Sequence, residues 1–152
     1  MEVVAATLDD KTPIRHLIEL YLHDFSAFNG DDVSEHGLFG YRFLDNYWTE
    51  ADRHPFMIRH DGHLAGFAFV RIGPPKDMAE FFVLRKYRRR GVGLLAARAL
   101  FAMFEGEWQV RQLAANAAAT AFWRVAIPVP FTEDSNEDGP VQHFHVAGLP
   151  TA

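Results

Sequence analysis

The feature that most restricts this chain is an abrupt change of character between Glu80 and Gly93. Phe81-Phe82-Val83-Leu84 is apolar on both faces, so residues 80–84 read as a strand buried in the middle of a sheet. Arg85-Lys86-Tyr87-Arg88-Arg89-Arg90 comes next and packs five of the 15 basic residues into six positions. Gly91-Val92-Gly93 then opens a helix. Its apolar residues Val92, Leu95, Ala96, Ala99, Leu100 and Met103 recur at helical spacing, and Leu94, Ala97, Phe101 and Phe104 widen that face. A helix start presents unpaired backbone N–H groups and the positive end of its dipole. Glycine lets that backbone approach an anion, and neighbouring arginines add charge-assisted hydrogen bonds. The combination is a phosphate cradle.

The residues admit several ligands. A P-loop requires Gly-Lys-Ser/Thr, which is absent. Gly91-Val92-Gly93-Leu94-Leu95-Ala96 fits the dinucleotide pattern G-x-G-x-x-A. In that motif, however, the first glycine follows the strand almost at once, with an acidic residue about 20 positions on. Here six mostly basic residues intervene, and the next strand ends in Ala114-Ala115-Asn116. A solvated basic turn ahead of a well-packed helix is the plainer alternative.

The remaining pattern is α+β. Residues 3–7 suit a short strand, and Thr12-Pro13 starts a helix with Thr as N-cap and Pro at the first helical position. Ile14, Leu17, Ile18, Tyr21, Leu22 and Phe25 form its buried face. Residues 26–52 are irregular, with a short helix among loops. Residues 56–59 and 64–71 make a hairpin turning at Asp61-Gly62. Residues 108–113 form a strand and 117–126 a helix stopped by Pro128. Residues 129–133 and 141–146 close the chain as a hairpin. With 49% hydrophobic residues there is material for one continuous core, and residues 1–152 are expected to form one domain.

Two segments together carry a family resemblance. Arg88-Arg89-Arg90-Gly91-Val92-Gly93 resembles the GNAT acetyltransferase signature [Q/R]-x-x-G-x-[G/A]. Asn116-Ala117-Ala118-Ala119-Thr120-Ala121-Phe122-Trp123 resembles the second GNAT motif, N-x-x-A-x-x-F-Y, at the usual distance. The resemblance implies a GNAT acyl-CoA N-acyltransferase fold: a mostly antiparallel central sheet, splayed between two parallel strands and flanked by helices. It further implies acetyl-CoA as cofactor. Phe81, Phe82 and Val83 would then offer main-chain groups to pantetheine. Arg88, Arg89, Arg90, Gly91, Val92 and Gly93 would hold the pyrophosphate. Asn116 would meet pantetheine or a bridging water, and Phe122 would pack near the cofactor. Glu80, at the start of the splayed strand, is the candidate base. Trp123 departs from the family's tyrosine, whose hydroxyl can protonate the departing sulfur.

The implied reaction is acetyl transfer to a primary amine of a small molecule or peptide, and a non-catalytic acyl-CoA-binding module is the alternative. Asp24, Asp31, Asp32 and Glu35 lie where this fold shapes its acceptor site, and an acidic rim would suit a cationic amine. His143 and His145 share a strand face at the substrate end. The eight histidines lack the partners a metal site needs, so no metal is expected. A net charge of −5 disfavours nucleic acid. No apolar run is long enough for a membrane span, and neither a secretion signal nor a cysteine is seen, so a cytoplasmic protein is expected. The aromatics between Phe39 and Trp48 are core, substrate wall or a homodimer surface.

Overall fold

The computed structural model describes residues 1–148. Its seven strands form one mixed sheet in the order β1-β2-β3-β4-β5-β7-β6. They are β1 (Glu2–Ala5), β2 (Arg53–His60), β3 (His63–Arg71), β4 (Lys76–Val83), β5 (Gly106–Arg111), β6 (Phe131–Ser135) and β7 (Pro140–Val146). Four helices accompany them: α1 (Lys11–Asn29), α2 (Asn46–Thr49), α3 (Val92–Met103) and α4 (Ala117–Ala126). Only β4 and β5 run parallel, because α3 supplies the crossover that a parallel pair needs. The α+β architecture with one splayed parallel pair is the one expected.

Helix α1 begins earlier than Thr12. Thr7 donates its backbone N–H to the Asp10 carboxylate at 2.8 Å, and a single 3-10 turn at Leu8–Asp10 leads straight into the helix. This local capping bond sets the start, and Thr12-Pro13 lies inside the first turn. The far end runs past Phe25 to Asn29, where Gly30 adopts φ +76° and its N–H bonds to Ser26 O. The stretch after it is tied back to α1, since Glu19 accepts the backbone N–H groups of Phe39 and Gly40 at 2.7 and 2.9 Å.

Strand β4 is displaced from the expected 80–84. It starts at Lys76, because Asp77 is buried despite its charge and pairs with Arg111 at 2.6 Å. Its register against β3 breaks in the middle. Phe69 faces Glu80 whereas Val70 faces Met78, so Ala79 is an unpaired extra residue. Such a bulge reverses which side later residues face. Phe82 therefore packs with Ile14, Ile18 and Phe67 under α1, and Met78 and Phe81 pack with Phe101 and Trp123 under α3 and α4.

Helix α3 buries Val92, Ala96, Ala97, Leu100 and Phe101, whereas Leu95 and Met103 are exposed. The apolar face is thus narrower than its sequence suggests. Arg98 donates to Ala126 O and Val125 O at the end of α4 and so ties the two helices together. On the opposite margin, Gln112 and Gln142 exchange side-chain hydrogen bonds at 2.6 and 2.9 Å. Gln142 also donates to Glu133, which takes a bidentate pair from Arg124 of α4. This relay, buried at the glutamines and exposed at Arg124 and Glu133, fixes the far end of β5.

Strands β3 and β4 leave no room for a side chain at Gly66, where a Cβ would stand 1.9 Å from Phe82 O. Gly66→Ala must push the strands apart, and it should destabilise the protein by about 3 kcal/mol or more in urea unfolding.

Candidate active site

Beyond Lys76–Trp108 and Asp77–Gln109, β4 and β5 share no pairing. β3 holds β4 on one side and β7 holds β5 on the other, so the two strands part. The edge of β4 that faces β5 keeps unpaired main-chain groups, which need partners. A cleft of about 950 Å³ fills the divergence. Its wall on one side of the sheet is aromatic. Phe81 stacks on Phe122 with centroids 5.8 Å apart and meets Trp123 edge-on at 5.1 Å. On the other side the wall is Tyr21, Phe25 and Phe28 of α1 with Glu80 at its floor.

The basic loop closes one end of the cleft. Gly91 is the N-cap of α3 with φ +78°, and Arg89 also has positive φ, +62°. These two positions, with Arg90 between them, bend the loop sharply at the helix start, where backbone N–H groups have no helical partner. Gly93 lies beneath, where a Cβ would stand 3.4 Å from the Phe122 ring. Arg88 is anchored at both ends of its guanidinium. Nε donates to Val83 O at 2.8 Å, and Nη2 donates to Asp24 of α1 at 2.7 Å. Arg85 donates to the other Asp24 oxygen at 2.8 Å. Burial alone would raise the Asp24 carboxyl, but the bonds from Arg88 and Arg85 outweigh it and hold it below the usual carboxylate range.

Glu80 sits mid-strand and half-buried rather than at a strand start. The bulge turns it toward α1, where the Tyr21 hydroxyl donates to Oε2 and the Tyr41 hydroxyl to Oε1 at 3.3 Å. Burial raises its pKa, the two tyrosine bonds and the Arg111 charge oppose this, and nearby Asp77 adds to it; the result is about 7. Burial, with the Glu80 charge beside them, raises both tyrosines. They therefore stay protonated and act only as donors. Near neutral pH this carboxyl can both take up and release a proton.

Most residues singled out in the sequence meet at the cleft. Phe81, Phe82, Val83, Arg88, Arg89, Gly91, Gly93, Asn116 and Phe122 all line it. Arg90 is exposed away from it, and Val92 is buried beneath α3 with Ile58 and Tyr87. Asn116 uses Oδ1 to cap α4, accepting the Ala119 N–H at 3.1 Å. Trp123 is 6% exposed and packed in the core. Asp24 is not part of an open acidic rim, since both its oxygens are taken. Asp31, Asp32 and Glu35 are exposed outside the cleft lining; half-buried His143 and exposed His145 also lie outside it and face Asp134 and Glu107. Among the described residues no group of three potential ligands could hold a metal ion, and no helix is long and apolar enough to cross a membrane. Tyr21, Tyr41 and Arg111 carried no signal in the sequence. Tyr21 reads there as one more residue of a buried helical face.

A sequence profile of the acetyltransferase (GNAT) family matches residues 14–126, a span containing most of α1, the cradle and α4. The chain belongs to the GNAT acetyltransferase family. The GNAT fold is equally evident among solved structures. An acetyltransferase from Thermus thermophilus superposes with a TM-score of 0.70 at 17% identity, over 97% of this chain and 96% of that one. An aminoglycoside acetyltransferase in complex with coenzyme A gives 0.69 at 13% identity, over 95% of each chain. The PaiA N-acetyltransferase of Thermoplasma acidophilum, also in complex with coenzyme A, gives 0.66 at 12%, over 95% and 98%. No curated protein matches the sequence.

The state of Glu80 has a consequence for stability. Its carboxyl titrates near the ordinary 4.5 when unfolded and near 7 when folded. The folded state thus keeps a proton that the unfolded state has released. The stability linked to it is complete below about pH 4.5 and is lost as pH rises through 7. Glu80→Gln removes this loss. At pH 8 the variant should be more stable than wild type by about 3 kcal/mol, and the two should converge near pH 5 in denaturation curves.

Proposed function

We propose that this GNAT domain is an acetyl-CoA-dependent N-acetyltransferase that moves an acetyl group to a primary amine of a small molecule or peptide. The observation that carries the reading is the placement of Glu80, held by two tyrosine hydroxyls on the floor of the cleft that the arginine-glycine loop closes. Acetyl-CoA supplies an activated thioester. The chain's residues supply the rest.

The backbone N–H groups around Gly91 and Gly93 receive the pyrophosphate at the start of α3, with Arg89 beside them. The unpaired edge of β4 at Phe81, Phe82 and Val83 offers main-chain partners to the pantetheine amides. Arg88 already occupies the Val83 carbonyl, so Phe81 and Phe82 carry more of that task. Phe122 and Phe81 form the apolar wall. Glu80 accepts the proton that the ammonium must lose before it can attack. Tyr21 and Tyr41 orient the carboxylate and keep it ionisable in a dry setting. Backbone N–H groups on the open edge of β4 are the fixed donors available to an oxygen that gains negative charge.

Trp123 bears on departure of the thiol. An indole N–H is no useful acid, so the sulfur leaves as thiolate, which a thiol pKa near 8.5 permits. The buried position of Trp123 also suits the alternative, a non-catalytic acyl-CoA-binding module. Both readings share the cradle and differ in turnover.

Calorimetric titration with acetyl-CoA should show micromolar binding, lost in Gly91→Asp, which strains the φ +78° turn and sets a carboxylate in the cradle. Absence of heat in the wild type would remove the central reading. In a thiol-release assay over an amine panel, Glu80→Gln should lower kcat by roughly 10²–10⁴-fold while keeping acetyl-CoA affinity. Wild-type kcat/KM should rise with pH through a transition near 7. Binding without turnover of any amine would favour the sensing module.

A further inference from the structure

Arg111 is the last residue of β5, two positions beyond the final pairing with β4. Two residues along a strand face the same side, so Arg111 shares the face of Gln109, which stands opposite Asp77. Its Nη2 donates to Asp77 Oδ2 at 2.6 Å. That is its only protein hydrogen bond among the described residues, although a guanidinium carries five donors. Asp77 is buried, with 7% of its side chain exposed, whereas 49% of the Arg111 side chain is exposed. The buried carboxylate therefore tethers one end of the guanidinium and leaves its other donors free at the cleft, which Arg111 lines. Glu80 lines the same cleft.

A fixed cation beside the proton acceptor is a handicap for an acceptor that carries only positive charge, because like charges repel. It becomes an advantage when the acceptor bears an anion close to its amine. A guanidinium edge matches a carboxylate in plane and spacing. A single arginine, already half neutralised by Asp77 and standing near Glu80, suits a monoanion better than a dianion. The third side of the space is apolar: Tyr21, Phe25 and Phe28 lie at successive turns of α1 and line the cleft, and Phe28 is 40% exposed.

We infer that the acceptor is a free amino acid with an apolar side chain, its carboxylate held by Arg111 and its side chain by the aromatic face of α1. This rests on the acetyl-transfer reading and narrows it. A peptide N-terminus has no carboxylate on the carbon that bears its amine, and a polyamine has none at all.

The test compares L-phenylalanine, L-phenylalaninamide and phenethylamine at saturating acetyl-CoA, with each rate normalised to the neutral-amine fraction. The free acid should exceed both analogues in kcat/KM by about 100-fold, mainly through KM. Arg111→Gln should bring that preference close to one, and Arg111→Lys should restore part of it, since lysine keeps the charge but not the fork. Thermal melts of both variants check folding, and the wild-type comparison stands without them. Equal use of the three acceptors, or an equal loss for all three in Arg111→Gln, would overturn the inference while acetyl transfer stands. If acetyl-CoA binds but no amine of any kind turns over, acetyl transfer itself fails. Titration of phenylalanine into the protein–CoA complex then decides the recognition claim, which falls if no binding is seen.

Discussion

The parting of β4 from β5 after two paired positions is the constraint on which the rest of the molecule depends. A sheet gives up hydrogen bonds when two strands diverge, and the exposed main chain must find other partners. Here the loss is contained by strong holding on either side. β3 grips β4 along its length, with Gly66 allowing close approach. β7 and the paired glutamines grip β5. Between them Phe81, Phe122 and Trp123 form a wall that keeps the gap from collapsing. The cleft is thus a consequence of two rigid half-sheets, and its chemistry is whatever side chains those halves present.

What they present is decided by one extra residue. In a regular strand Asp77, Ala79 and Phe81 would share a face, and Glu80 would point with Met78 into the aromatic core. Ala79 is inserted without a partner, so Glu80 turns under α1 instead. There it meets two hydroxyls rather than none. A carboxyl buried without those donors would be forced neutral. With them, it sits in the narrow range where a proton is exchanged with little cost in either direction.

The sequence made the cradle legible because its logic is local. Glycines, arginines and a helix start within six positions define an anion site without knowledge of the fold. Helices α3 and α4 were readable for the same reason, through apolar spacing and the stop at Pro128. The surroundings of Glu80 were not. Tyr21 and Tyr41 lie 59 and 39 residues from Glu80, and only tertiary packing joins them. The bulge left no mark, since Met78-Ala79-Glu80 reads as ordinary strand. The start of β4 was missed because Lys76 and Asp77 look solvent-facing, and the partner that makes burial of Asp77 tolerable is 34 residues away. The extra apolar breadth read for α3 shows the converse error: Leu95 and Met103 match the pattern, yet face water.

Helix α1 reaches two separate parts of the machinery with residues one turn apart. Tyr21 holds Glu80, the proposed proton acceptor, and Asp24 holds the arginines of the loop. For anyone redesigning this scaffold, one face of the helix therefore mixes frozen and negotiable positions. Tyr21 and Asp24 form a hinge pin between two working parts and leave no room for variation. Phe25 packs on the Tyr21 ring, whereas Phe28 is 40% exposed one turn further on, so the proposed choice of guest is most open to rewriting at Phe28.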